Sequence, residues 1–415
     1  MLDNHPTAKE IDIPKVNEII YCDLCFIIYS KANRKKPFLI IVLLNITIEI
    51  VSLRHMDTTH FISETASPVI FKTSWQAPSN IALVKYWGKH ELQLPKNPSL
   101  SFTLSSCITE TNVEFQPHKK NYFDFEFYFD GELKPEFKPK LKIFFDRIYQ
   151  YIPWISNYKM EIWSKNSFPH SSGIASSASS MAALSLCLMD LERELFPSVS
   201  INFFNQKASF LSRLGSGSAA RSIKGPITIW GESKSLNLSS NLYAISFEDD
   251  INPIFKNYQD TILIVDKGSK LVSSSQGHNL MHGHPFAKNR FNQASKHLLE
   301  LTSVLKTGDL ENFMNIVELE ALSLHSMMMT SDPYFILMQP NTLAIIQKIW
   351  EFRKNTNIPL CFTLDAGANV HLLYPKINKF EIHKFIKGEL LMFCQDGNYI
   401  QDEVGEGAKK RKFEF

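Results

Sequence analysis

Between residues 97 and 134 apolar and polar positions alternate with period two. "NPSLSFTLSSCITETNVEF" and "NYFDFEFYFDGELK" carry the alternation, and the Asp-Gly pair in the second supplies turn chemistry, so both are expected to form antiparallel strands. The period then changes. In "KPKLKIFFDRIYQYI", Leu141, Phe144, Phe145 and Ile148 recur at helical spacing and define one apolar face. "KMEIWSKNSF" reads as a strand running into a serine-rich stretch. The helix after that stretch carries Met181, Leu184 and Leu188 on one side. "SINFFNQKASFLSRLG" predicts another helix, ending at Gly215, and "SIKGPITIWG" a strand with a glycine-proline interruption. A second block starts near Asn252. "DTILIVDKG" reads as a buried strand, the stretch from Phe286 to Met328 as helical, and "PLCFTLDAGANVHLLYP" as strand, turn, strand.

The chain before this pattern has a different character. "KANRKKPFLIIVLLNITIEIV" puts basic residues ahead of an apolar run from Phe38 to Leu44, too short for the ~20 apolar residues that span a bilayer. It has no small-residue cleavage site of a signal peptide. We expect Met56 to be the natural start and residues 1–67 to lie outside the catalytic fold. The expected organisation is then 68–251 for an N-terminal lobe, 252–404 for a C-terminal lobe and 405–415 for a solvated basic tail containing "KKRK". No internal repeat is present.

Composition narrows the class without naming a function. With 415 residues, 44% hydrophobic and 21% charged, the chain has the make-up of a soluble globular protein. Its 44 basic and 42 acidic residues leave a net charge of +2, which gives no whole-chain argument for nucleic-acid or membrane partners. The six cysteines (Cys22, Cys25, Cys107, Cys187, Cys361, Cys394) are expected to be reduced and structural, as in a cytoplasmic protein, and the lone "CDLC" lacks the second pair a zinc site needs. His278, His282 and His284 fit no common closed zinc set and read as loop histidines bordering a cleft. The methionine triplet of "HSMMMTSDPYF" reads as packing.

Four stretches can carry chemistry. "PHSSGIASSAS" sits between a strand and an amphipathic helix, which a flexible linker does not. Free N–H groups at a helix N-terminus, approached over small residues, capture phosphate; the same composition also serves a plain tight helix start. It is not the P-loop pattern. "NIALVKYWGK" spaces Lys85 and Lys89 four apart beside Asn80, Tyr86 and Trp87, suiting either a surface amphipathic segment or an anionic substrate. "GSGSAARS" is a second small-residue nest followed by Arg221, a bidentate carboxylate ligand or an exposed turn residue. "LDAGAN" holds Asp365, in a stretch that alone reads as a hairpin turn.

Taken together these stretches carry a resemblance. "PHSSGIASSAS" is similar to the ATP-phosphate loop of the GHMP kinase superfamily. "APSNIALVKYWGKHELQLPKNPSLSFTL", "SRLGSGSAARSIKGPITIW" and "FTLDAGANVHLL" resemble, in the same order, blocks of the diphosphomevalonate decarboxylase family, over roughly residues 72 to 400. The resemblance implies an α+β, two-lobed GHMP-kinase fold, with an N-terminal lobe like domain 2 of ribosomal protein S5, a ferredoxin-like C-terminal lobe and the active site in the cleft between them. It implies ATP and Mg²⁺ as cofactors, 5-diphosphomevalonate as substrate, isopentenyl diphosphate as product and often a homodimer.

It also implies residue roles. Ser171, Ser172, Gly173, Ile174, Ala175, Ser176 and Ser177 would hold ATP. Tyr86, Trp87, Gly88 and Lys89, with Ser216, Gly217, Ser218, Ala219, Ala220, Arg221 and Ser275, would contact the substrate. Asp365, Lys85, Asn80, Arg221 and Ser218 would form the catalytic group, with Arg221 on the substrate carboxylate; the protein ligands of Mg²⁺ are unknown. Arg147 is an additional candidate for the diphosphate. The family usually has cysteine where Ala220 stands and proline where Ala368 stands; the second change is expected to loosen the turn around Asp365. Two alternatives stay open: a mevalonate or phosphomevalonate kinase of the same superfamily, and a non-catalytic relative acting as a binding module.

Overall fold

The computed structural model describes residues 57–119, 123–169, 174–247, 250–268 and 274–414. Cys22, Cys25, Met56, Ser171, Ser172 and Gly173 lie outside the described residues, as does the side chain of Ser275. Residues Phe61–Phe415 form one compact unit, which carries everything below.

Its first sheet is built on two long strands, β1 (Phe71–Val84) and β2 (Ser99–Pro117), paired antiparallel from Phe71↔Phe115 to Val84↔Leu100. β3 (Asp124–Phe129) and β4 (Glu132–Leu133) form the expected hairpin. α1 (Lys138–Ile148) buries the four apolar residues read from its spacing. β5 (Tyr158–Asn166) joins β2 antiparallel and β3 parallel. α2 (Ser176–Leu195) and α3 (Ile201–Gly215) cover one face, and the Ser200 hydroxyl caps α3 by accepting the Phe203 N–H at 3.2 Å. The strand expected over 222–231 is confined to β6 (Ile227–Trp230), which starts directly after the Gly225-Pro226 interruption, where proline has no N–H to pair; β7 (Ile245–Ser246) pairs with β6.

The second sheet has the order β11-β8-β10-β9, all antiparallel: β8 (Gln259–Leu263), β9 (Cys361–Leu364), β10 (Val370–Tyr374) and β11 (Tyr399–Glu403). Short α4 (Ser274–Asn279) precedes α5 (Ala287–Thr307) and α6 (Leu310–Met329). The single helical stretch expected from Phe286 onward is two helices because Gly308 adopts φ +83°, closing α5, and the Asp309 carboxylate accepts the Asn312 N–H to open α6. α7 (Pro340–Thr356) and α8 (Lys379–Phe385) pack against this sheet.

Two expectations about the ends are corrected. The fold begins before residue 68: Phe61 is fully buried against Phe210, ring centroids 4.4 Å apart, and Ser63 donates to Glu192 at 2.7 Å. The basic tail keeps its side chains exposed, yet Lys409–Arg411 forms β12, which pairs with Ser74–Gln76 at the edge of β1. Lys410 also meets the buried Asp190 at 2.7 Å, and that ion pair gives the strand its anchor.

Candidate active site

A cleft of about 520 Å³ gathers most of the residues singled out in the sequence. Asn80, Lys85, Tyr86, Trp87 and Lys89 line it from the end of β1 and the turn that follows. Ala175, Ser176 and Ser177 line it at the start of α2, Ser216, Gly217, Ser218 and Arg221 after α3, and Asp365 after β9. Gly88, Ala219, Ala220 and Ile174 sit buried in the wall instead. The two small-residue loops touch where the Ser177 and Ser216 hydroxyls lie 3.2 Å apart. Ala175 holds φ +48° just ahead of α2, so the chain turns sharply into the helix, whose first residues, Ser176 and Ser177, line the cleft. Gly217 has no room for a side chain: a Cβ there would stand 2.8 Å from the Tyr86 Oη.

Lys85 is not on the surface, as a plain amphipathic segment would place it. It is 1% exposed, donates from Nζ to the Ala82 carbonyl at 2.5 Å, and its backbone N–H donates to Glu320 at 2.8 Å. Burial pulls its pKa down to about 8, against the opposing pull of the Asp365 and Glu320 carboxylates. Glu320 is itself fully buried and accepts from Arg290 and, at 2.6 Å, from His297. Burial works to raise the Glu320 pKa, but those donors hold it below the usual carboxylate range. This cluster beneath Lys85 was missed by sequence reasoning, since Glu320 lies 235 positions from Lys85 and its members look like ordinary helix-surface charges.

Arg221 is equally buried. Its Nε donates to Asn80 Oδ1 at 3.2 Å and its Nη1 to the Ser99 hydroxyl at 2.5 Å. Asn80 in turn donates to the Ser222 hydroxyl at 2.8 Å and the Ser218 carbonyl at 3.2 Å. Asn80, expected beside Lys85 and Asp365, thus also orients Arg221. Burial lowers the arginine's pKa to about 10, with Asp365 and Tyr86 pulling the other way, so the guanidinium stays charged at neutral pH. The Tyr86 hydroxyl is buried without a hydrogen-bond partner among the described residues, and burial pushes its pKa up.

The turn carrying Asp365 is tightly held despite Ala368. The Gly367 N–H donates to the Asp365 carbonyl at 2.7 Å, and His325 Nε2 reaches the same oxygen at 3.1 Å. The Thr342 hydroxyl donates to the Ala368 carbonyl at 2.7 Å, and the Asp266 N–H to Asn369 Oδ1 at 2.9 Å. Arg147 donates to the Leu214 carbonyl at 2.8 Å, closing the end of α3. Among the histidines, His278 lines the cleft, while His284 is buried with Nε2 3.1 Å from the Met327 carbonyl. No cluster of three metal-ligating side chains occurs among the described residues. Met327 and Met328 pack with Trp87 and Met281 behind the cleft, and Met329 is exposed.

Both parts of the chain match families of known proteins. Residues 77–242 match the diphosphomevalonate decarboxylase-like N-terminal domain, and residues 261–412 the mevalonate 5-diphosphate decarboxylase C-terminal domain. The chain is 28% identical over 337 residues to a diphosphomevalonate decarboxylase of Ganoderma lucidum, covering 76% of this chain and 82% of that one. It superposes on mevalonate diphosphate decarboxylase from Staphylococcus aureus with a TM-score of 0.71 at 27% identity, covering 83% of this chain and 99% of the other. The structure of MDDEF in complex with MVAPP, AMPPCP and magnesium gives 0.71 at 28% identity, covering 83% and 100%.

Proposed function

The chain belongs to the diphosphomevalonate decarboxylase family, and on that premise we infer that it converts (R)-5-diphosphomevalonate and ATP to isopentenyl diphosphate, ADP, phosphate and CO₂. The observation that carries the reading is the meeting, in one cleft, of a carboxylate, two buried cations and two small-residue loops: Asp365, Lys85, Arg221, Ala175–Ser177 and Ser216–Ser218.

The residue roles follow from their surroundings. The N-terminus of α2 and the hydroxyls of Ser176 and Ser177 suit the ATP phosphates. Asp365 accepts the proton of the substrate 3-hydroxyl as that oxygen takes the γ-phosphoryl group. Lys85 favours the carboxylate form of Asp365 by its charge, and Arg221 holds the substrate carboxylate. The Tyr86 hydroxyl, Lys89 and the Ser216–Ser218 nest receive the diphosphate. The 3-phosphate then leaves with the C3–O electrons. The C1–C2 bond breaks, its electrons form the C2–C3 double bond, and CO₂ departs. Phosphorylation matters because hydroxide leaves poorly. Mg²⁺, when bound, would neutralise charge on the triphosphate, and Ser176 and Ser177 are among the cleft oxygens that would help hold it beside the phosphates.

The reading includes two lobes that divide near residue 252, the first beginning at Phe61, together with a cytoplasmic location and a homodimer. It is tested by incubating the protein with ATP, Mg²⁺ and 5-diphosphomevalonate and measuring ADP, phosphate and CO₂ together. ADP without CO₂ would instead indicate a kinase. Asp365→Asn should lower turnover by about 10²–10⁴-fold while ATP binding is largely kept, and near-normal turnover would remove Asp365 from its role.

A further inference from the structure

His278 lies in the wall of the cleft and has no part in the mechanism above. Its ring packs against two others, with centroids 4.3 Å from Tyr86 and 4.7 Å from Trp87. The approach is close because residue 277 is glycine: a Cβ there would stand 2.5 Å from the Trp87 ring. Nδ1 accepts the Gly88 N–H at 2.9 Å. An acceptor nitrogen carries no proton, so the neutral ring keeps its hydrogen on Nε2. The side chain is 8% exposed, and no residue among those described hydrogen-bonds Nε2.

We propose that His278 is a neutral, fixed-tautomer donor whose Nε2–H binds an oxygen of the substrate diphosphate. This rests on the proposed function for the identity of the substrate. The diphosphate is chosen over the carboxylate because His278 is hydrogen-bonded to Gly88, the residue before Lys89, whereas Arg221 supplies the bidentate partner a carboxylate needs. The groups facing the ring are Lys89, Arg221 and Asp365; burial, then Lys89, pulls its pKa down to about 3, so it stays neutral throughout the working pH range. A neutral donor completes a cationic pocket without adding another charge that would have to be desolvated.

The test compares His278→Leu, which keeps bulk but has no donor, with His278→Gln, whose amide restores one. The leucine variant should raise the KM for 5-diphosphomevalonate about 10-fold, with kcat and the KM for ATP little changed, and glutamine should recover most of the loss. Equal impairment of both variants, or an unchanged KM in the leucine variant, would overturn the proposal. In ¹⁵N-histidine NMR of the wild-type protein, His278 should appear as the neutral Nε2–H tautomer at pH 6. Its Nε2 signal should move with inorganic pyrophosphate and stay in place with mevalonate. An imidazolium at pH 6, or a response to mevalonate alone, would also overturn it. Because pyrophosphate binding needs no turnover, this arm separates failure at His278 from failure of the decarboxylase reading.

Discussion

A charged lysine in a nearly sealed position is the residue-scale feature on which the proposed chemistry turns. With a pKa of about 8, Lys85 is largely protonated at pH 7 and loses its charge as the pH rises past 8. If its charge keeps Asp365 in the anionic form, kcat should fall along an alkaline limb with an apparent pKa near 8. The unfolded chain has the ordinary, higher lysine pKa and binds more protons than the folded one between those values. On this account stability rises with pH where activity falls, so the limb cannot be ascribed to unfolding through this group. A pH–rate profile flat to pH 9.5 would contradict the role. Little of this was legible in the sequence. "NIALVKYWGK" shows two lysines four apart, a spacing equally suited to a solvated face, and nothing local marks Lys85 as buried. Asp365 alone had the look of a turn residue. His278 was read as bordering a cleft, but its partners Tyr86, Trp87 and Gly88 lie 190 or more positions away.

At the scale of elements, α2 and α3 are locked by a pair hidden from water. Lys207 on α3 donates to both Glu192 oxygens at 2.8 Å, with the two side chains 1% and 2% exposed, and donates also to Ser63 at 2.6 Å. Lys207→Met would leave Glu192 charged or protonated without its partner. It should cost about 3–5 kcal/mol in a denaturant titration, far more than loss of an exposed pair; a loss below 1 kcal/mol would show that the site relaxes. Elements with clean periods were readable. α1 was seen because only one of its faces is buried, and β3 because it alternates. β1 was not read as a strand, since from Ala77 to Val84 it is buried without alternation and offers no period to count. The break at Gly308–Asp309 was overlooked because apolar spacing continues across it.

At the scale of the whole molecule, β12 ties residues 409–411 back to β1 and places Lys410 on Asp190. Removing residues 408–415 should therefore uncover the edge of β1. In light scattering the full chain should run at twice its 47.6 kDa mass if the homodimer holds, while the truncated chain should shift toward larger, heterogeneous species. Identical profiles would mean that the edge is harmless without its cover. The sequence placed the tail in solvent because its side chains are basic, and they are indeed exposed; strand pairing uses the backbone, which composition does not report.

That returning strand also sets an order of events during synthesis. A ribosome adding about 5–20 residues per second needs roughly 16–65 s to go from Val84 to Lys409. Throughout that interval the outer rim of β1 is open in the nascent protein, and any neighbouring polysome product with a free strand can compete for it.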